Sequence, residues 1–443
     1  MPLKGVVMVA KSGTPSAHQT SATPAAGYAG ALRVLASLFF IWGFITVINN
    51  TLLPHLKSVF DLNYVQTTLI ESVWFIAYFV ASMPSAWLIE RVGYRRSLVL
   101  GLIIMAVGAL GMILASSIPS YGVTLAALFV VASGITLLQV AANPYVAVVG
   151  PVQTAASRLN LVQAFNSLGT TLAPLFGGYL ILGRAVSGTA EVETTLTAAQ
   201  RLTDARAVQL PYLIVAGVLV ALAIFIGRAQ LPDIAAQNRR VSAGSRRNHS
   251  LLGHRNLVLG VPAIFIYLIA EIGVANLFIN FVSQPQIAAV SHAQASRYLF
   301  LLWGGMMVGR FLGSFVMRYF PADRVLAVFA VGAFVTMLVA SLVQGPTAMV
   351  ALILVGLFHS IMFPTVFTLA IRGLGPLTEE GSGLLIMAIA GGALVIIQGW
   401  LADRFGLQRS FLLTAACELY VLAYAIWWAR PSRDGTSATG AAT

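Results

Sequence analysis

The stretch "LLQVAANPYV" (137–146) lies inside a longer apolar run, 122–148, yet it holds a glutamine, an asparagine and a proline within six positions. Composition decides where such a run resides. Hydrophobic residues make up 58% of the 443 residues, charged residues 9%, and the mean hydropathy is +0.87, all far from the averages of a soluble globular chain. A bilayer core needs roughly 20 apolar residues per crossing helix. Twelve spans of that kind follow one another, near 32–56, 67–90, 97–117, 122–148, 157–182, 210–231, 257–282, 296–319, 325–344, 347–373, 382–402 and 410–430. The sequence therefore predicts an all-α membrane protein of twelve transmembrane helices, with the lipid bilayer as its surroundings.

Charge gives the orientation. The net charge of +12 would suit nucleic acid in a soluble protein, but here the basic residues flank spans and no soluble domain could hold a duplex, so no nucleic-acid partner is expected. With both termini inside, 18 Lys and Arg face the cytoplasm, seven face outward and Arg310 lies within a span; by the positive-inside rule this places both termini in the cytoplasm. A single cysteine, Cys417, rules out an intramolecular disulfide, and the six histidines lack metal-ligand spacing, so neither a metal nor a cofactor is expected. Residues 1–30, rich in Ala, Ser, Thr, Gly and Pro, and residues 431–443 read as disordered cytoplasmic tails. The short run "GVVMVA" is too brief for a signal-peptide core.

The longest basic loop, "QLPDIAAQNRRVSAGSRRNHSLLGHRN" (230–256), divides the spans six and six. That gives an N-terminal half (31–231), a basic cytoplasmic linker (232–256) and a C-terminal half (257–430). A weak repeat agrees: the second span ends "PSAWLIERVGYRRS", the eighth "GSFVMRYFPADR" and the eleventh "GWLADRFGLQRS". The second helix of a three-helix unit thus ends similarly three times, as in carriers built from nested repeats.

With these features the chain resembles the major facilitator superfamily, whose loop between helices 2 and 3 follows G-x-x-x-D-R-x-G-R-R. Here Glu90 stands for the aspartate, while Arg91, Gly93, Arg95 and Arg96 keep the basic glycine turn, and the resemblance makes them a cytoplasmic gate. Four further stretches, "FFIWGFITVINNTLLPHL" (39–56), "LLQVAANPYVAVVGP" (137–151), "SRLNLVQAFNSLGTTLAPLFGG" (157–178) and "MFPTVFTLAIRGLG" (362–375), look like the fucose:proton symporter family, especially its glucose/galactose branch. The resemblance spans about 35–425. It implies the major facilitator fold and transport of a monosaccharide, with protons as co-substrate and a monomer as the functional unit in a bacterial inner membrane. It also implies one proton-carrying carboxylate in helix 1 and another in helix 4. Those positions hold Asn50 and Gln139 here, and neither amide titrates, so uniport stands beside symport.

A sugar presents hydroxyls that donate and accept, plus an apolar ring face, so its site calls for amides and an aromatic platform. Gln139 and Asn143 share a helix face, and Pro144 removes a donor and frees a carbonyl one turn back. Gln163 and Asn166 share a face of the fifth span, Trp42 and Asn49 line the first with Asn50 adjacent, and Asn276 and Asn280 lie four apart in the seventh. Phe363, before Pro364, could cover a ring. Each of these reads either as a sugar contact or as packing between helices. Carboxylates well inside spans are Glu71, Glu271 and Glu418. Glu271 and Glu71 are proton-coupling candidates; Glu418, in the last span, reads as structural, as does His359. Arg310, the one intramembrane cation, is costly to bury unpaired, so it either pairs with an intramembrane carboxylate or binds sugar hydroxyls, its side chain serving the central cavity. A multidrug exporter would favour a more aromatic lining, a sensor would need an added domain, and no nucleophile, metal cluster or phosphate loop points to an enzyme.

Overall fold

The computed structural model describes residues 25–60, 64–117, 120–177, 209–229, 231 and 250–429, without the side chains of 25–27, 47–60, 64–69, 71, 174–177 and 293. Most of both tails and residues 232–249 of the linker lie outside it. The described chain is helical, with no strand among the described residues. We number the helices in chain order: α1 Ala25–Phe60, α2 Tyr64–Val92, α3 Tyr94–Ser117, α4 Tyr121–Val148, α5 Ala155–Gly177 and α6 Gln209–Arg228. The second set is α7 Arg255–Val282, α8 His292–Val316, α9 Ala322–Leu342, α10a Pro346–His359 with α10b Met362–Ala370, α11a Thr378–Met387 with α11b Val395–Phe405, and α12 Leu407–Ala423.

Each expected span corresponds to one helix or one broken helix. Among the described residues, eleven of them are long and apolar enough to cross a membrane. The exception is α5, which carries Arg158, Asn160, Gln163 and Asn166 along its 23 residues; its polarity comes from the positions that make it interesting. α1 starts earlier than the expected span, at Ala25, and in its first turn Tyr28 docks over Arg158, 5.6 Å from ring centroid to guanidinium. Large apolar side chains such as Phe79, Trp87, Phe225, Phe315, Val328 and Trp400 are exposed around the perimeter. Such a surface suits hydrocarbon, not water.

Short glycine contacts bring helices together, the packing that lipid favours. A side chain at Gly43 would run into the backbone of Asn166, and one at Gly169 into the backbone of Phe40, so α1 and α5 meet almost backbone to backbone. The turns that the repeat singled out match: Gly93 joins α2 to α3 at φ 85°, and Gly406 joins α11b to α12 at φ 88°. Both angles lie in the left-handed region that glycine alone adopts freely.

Two helices are enveloped by the bundle. Every residue of α4 from Gly134 to Ala147 is buried, and so is every residue of α10b. Contacts between α1–α6 and α7–α12 run through α5 with α8 and α10b, through α2 with α11 and its 3-10 segment Ala388–Leu394, and through α4 with α11a.

Candidate functional site

Both buried helices contain a proline, and a proline cannot return a hydrogen bond to the carbonyl four residues back. In α4 the orphan is the Val140 carbonyl, and it accepts from the Ser382 hydroxyl of α11a at 3.4 Å. In α10 the orphan is the Ser360 carbonyl, and it accepts from Nε of Arg310 at 3.0 Å. The "AANP" stretch therefore does more than break a helix: it offers a backbone acceptor to the opposite half, buried where no water would satisfy it.

A chain of polar groups runs from α4 to Arg310. Gln139 donates from Nε2 to the Tyr78 hydroxyl on α2 at 2.5 Å. One turn on, Asn143 accepts through Oδ1 from Gln163 Nε2 on α5 at 3.4 Å. Asn143 is fully buried, and its Nδ2 has no hydrogen-bond partner among the described residues. The Gln163 backbone carbonyl accepts from Nη1 of Arg310 at 3.3 Å, and the same Nη1 donates to Ser167 Oγ at 2.5 Å. Arg310, itself buried, thus reaches from α8 into α5 of the other half.

Glu271 is near enough to Arg310 and to Tyr267 for its charge to act on both. The sequence leaves open whether Arg310 pairs with a carboxylate or binds sugar hydroxyls; its hydrogen bonds in the structure go to Ser360, Gln163 and Ser167, with Glu271 as a nearby charge. Buried cations need that density of partners.

The remaining expected residues fall into three groups. Asn166 donates to the Phe39 carbonyl at 2.9 Å, which ties α5 to α1, and Trp42 is buried with its ring tilted against Phe39, centroids 5.2 Å apart. Phe363 is buried beside Phe367 at 6.0 Å. Asn276 and Asn280 are exposed; five and nine residues beyond Glu271, they sit ~140° and ~180° around the helix from it. The side chains of Asn49, Asn50 and Glu71 lie outside the described residues. A small apolar cavity between α1, α3, α4 and α6, lined by Ile45, Met105, Val131, Tyr212 and Leu219, touches none of the amides.

At the end where α2 passes to α3, Glu90, Arg91, Gly93, Arg95 and Arg96 surround the glycine turn. Arg91 stacks on Trp87 at 3.4 Å, and Arg95 and Arg96 are exposed. The halves are pinned at this same end. Tyr94 donates to Glu379 Oε1 on α11a at 3.0 Å. Ser157 donates to the Ser314 carbonyl at 2.6 Å, and Ser314 returns a bond to the Ser157 carbonyl at 2.9 Å. Asn160 donates to Thr365 Oγ1 at 3.1 Å.

Sequence reasoning missed Tyr94, Glu379, Ser157, Ser314, Asn160, Ser167 and Ser382. Serines and a tyrosine at helix ends carry no pattern of their own, although Asn160 could have been found, three residues before Gln163 on the same face. Two residues read as separate structural features are in fact partners: His359 Nε2 and Glu418 Oε1 lie 2.8 Å apart, both buried. Glu418 sits in the last helix, but on its inward face.

Comparison with known proteins places this geometry. The family model of the Major Facilitator Superfamily matches residues 34–394. The chain belongs to the major facilitator superfamily. It is 45% identical over 400 residues to the glucose/galactose transporter of Brucella abortus biovar 1 (strain 9-941), covering 90% of this chain and 94% of that one. It is 30% identical over 401 residues to the L-fucose-proton symporter of Escherichia coli (strain K12), covering 88% and 91%. Among solved structures, the superfamily transporter FucP in the outward conformation superposes with a TM-score of 0.81 at 29% identity, covering 91% of this chain and all of that one. As members of this superfamily are carriers, the protein is a multi-pass membrane transporter and not an enzyme.

Proposed function

We propose that the protein carries a monosaccharide, a hexose or deoxyhexose, across the cytoplasmic membrane by alternating access, in symport with protons. The observation that carries this is the polar chain Tyr78–Gln139–Asn143–Gln163–Arg310, which crosses from one half to the other and ends in a cation beside Glu271. Amides and hydroxyls that bond each other in the closed arrangement can exchange those bonds for sugar hydroxyls, and Asn143 Nδ2 has a donor to spare. The named relatives, a glucose/galactose transporter and a fucose-proton symporter, support the same substrate class.

The contacts Tyr94–Glu379, Ser157–Ser314 and Asn160–Thr365 close the end that we assign to the cytoplasm. Transport then requires them to part as one half rocks on the other. The positive-inside pattern supports a cytoplasmic location of both termini, in our reading of the protein as a bacterial inner-membrane carrier, and the monomer contains the whole chain of groups. Of the two other readings, uniport rests on the untitratable Gln139 and Asn50. Export of mixed drugs fits poorly with a central chain of buried amides, hydroxyls and an arginine.

Uptake of a panel of radiolabelled hexoses into proteoliposomes tests the proposal. Accumulation above the outside concentration that needs an inward proton gradient is the expected result. Equilibration regardless of the gradient makes the protein a uniporter, and no uptake of any hexose removes the sugar reading.

A further inference from the structure

The N-terminal half supplies amides and the Tyr78 hydroxyl to the central chain of groups, whereas the described carboxylates, imidazole and guanidinium at its level belong to the C-terminal half. Tyr267 and Glu271 lie on α7, Arg310 on α8, His359 at the end of α10a and Glu418 on α12. Tyr267 joins them. Its hydroxyl donates to the His359 carbonyl at 3.0 Å, its ring meets the His359 ring edge-on at 5.4 Å, and the charges of Glu271, Arg310 and Glu418 all act on it.

The His359–Glu418 pair has a feature that a permanent ion pair lacks. Glu418 is wholly buried, with Oε1 on the imidazole, but Oε2 has no hydrogen-bond partner among the described residues. A carboxylate kept ionised in such a place needs both oxygens satisfied. A carboxyl that is protonated for part of a cycle does not, because the neutral acid is far cheaper to bury.

The break between α10a and α10b lies next to His359, so movement at this break would change the imidazole's distance from α12. Other charges are remote: α9 has Asp323 and Arg324 in its first turn, α11 has Glu379 and Glu380 at its start and Asp403 and Arg404 at its end, and α10b has none. Cys417 adjoins Glu418 on α12 and feels its charge.

We propose that His359 and Glu418 form a second proton-carrying site, linked through Tyr267 to Glu271 and Arg310, so that proton coupling resides in the C-terminal half. The proposal rests on the symport reading above. The pair holds one exchangeable proton, shared between Nε2 and Oε1: neutral overall with it, singly negative without it. Loading neutralises the pair, and unloading leaves a carboxylate whose Oε1 keeps the imidazole as its partner.

The test is purified full-length protein in proteoliposomes with an entrapped pH dye, recording sugar-driven proton entry, uphill accumulation and sugar counterflow for the native chain, Glu418→Gln and His359→Gln. Expected are loss of sugar-driven proton entry and of uphill accumulation in both variants while counterflow continues, and a shifted pH profile of uptake in His359→Gln. Retained proton entry with an unchanged pH profile in either variant overturns the proposal. Loss of counterflow together with uphill uptake in both variants makes the pair structural and also overturns it. If the native protein itself takes up hexose without moving protons, the symport reading fails, independently of the variants.

Discussion

Helices α4 and α10 use one backbone device in two chemical settings. Each is buried on all sides around its proline, and each proline exposes a carbonyl that a neighbouring helix claims. On α4 the claimant is the neutral hydroxyl of Ser382, from the opposite half. On α10 it is the guanidinium of Arg310, which at the same time holds α5 through the Gln163 carbonyl and Ser167. The difference teaches where charge is allowed. Among the described side chains around the centre, the N-terminal half contributes amides and a tyrosine that suit a hydroxylated ligand, and the C-terminal half contributes the carboxylates, the imidazole and Arg310.

The hardest way to break this contrast is to alter Arg310. Removing one member of a buried charged set costs about 3–5 kcal/mol because the remainder is left uncompensated, so Arg310→Ala should show the largest fall in thermal stability in detergent and lose transport. Arg310→Lys is the sharper variant, since it keeps the charge but not the planar fork that serves Ser360, Gln163 and Ser167 together. It should fold while transporting far more slowly. Native sugar affinity and rate in Arg310→Lys would show that charge alone matters and that the three-way bridge is incidental.

How far these positions were legible in the sequence depends on the range of the interaction. The spans, their order and the basic glycine turn follow from local composition, and among the described residues the structure returns eleven of the twelve as helices apolar and long enough to cross a membrane. Gln139, Asn143, Gln163 and Arg310 stood out because polar atoms in apolar runs are costly, and they do come together. Their partners did not stand out. That Glu418 faces His359 depends on which face of α12 turns inward, and a helix whose one other charge, Arg409, sits in its first turn has no polar stripe to announce it. Asn166 and Phe363 show the opposite limit: they have the chemistry for a sugar, and in this arrangement the first bonds a backbone carbonyl and the second packs on Phe367.

The next prediction compares the two prolines directly. With alanine at position 364, a backbone N–H becomes available to the Ser360 carbonyl and competes with Arg310. Hydrogen bonds from charged groups contribute about 1.5–3 kcal/mol, so the hold of Arg310 on α10 should loosen by that order. Hydrogen exchange at the start of α10b and the sugar affinity are the measurements; faster exchange with weaker affinity is expected. Unchanged exchange and affinity would mean that Arg310 is held from the α5 side alone.

A smaller effect is expected at the linker end, where Tyr94→Phe deletes the hydroxyl bonded to Glu379. Ser157, Ser314 and Asn160 remain to pin the halves, so closure should weaken without failing. Hydrogen exchange across the first turns of α3 and α11a should rise while transport persists. Loss of transport would instead mark Tyr94 as indispensable to closure.

The smallest effect should come from Pro144, and its form matters more than its size. Pro144→Ala supplies an N–H for the Val140 carbonyl, which then no longer needs Ser382; Ser382→Ala removes the same contact from the other side. A neutral hydrogen bond contributes about 0.5–1.5 kcal/mol, and this one is long at 3.4 Å, so each variant should shift the closed arrangement only slightly. If the proline's cross-half role is confined to that carbonyl, the double variant should shift closure no further than either single one, because both delete one bond. Additive shifts would show that Pro144 acts on closure by a second route, through the shape of α4 itself, and the parallel between α4 and α10 would then be one of sequence more than of mechanism.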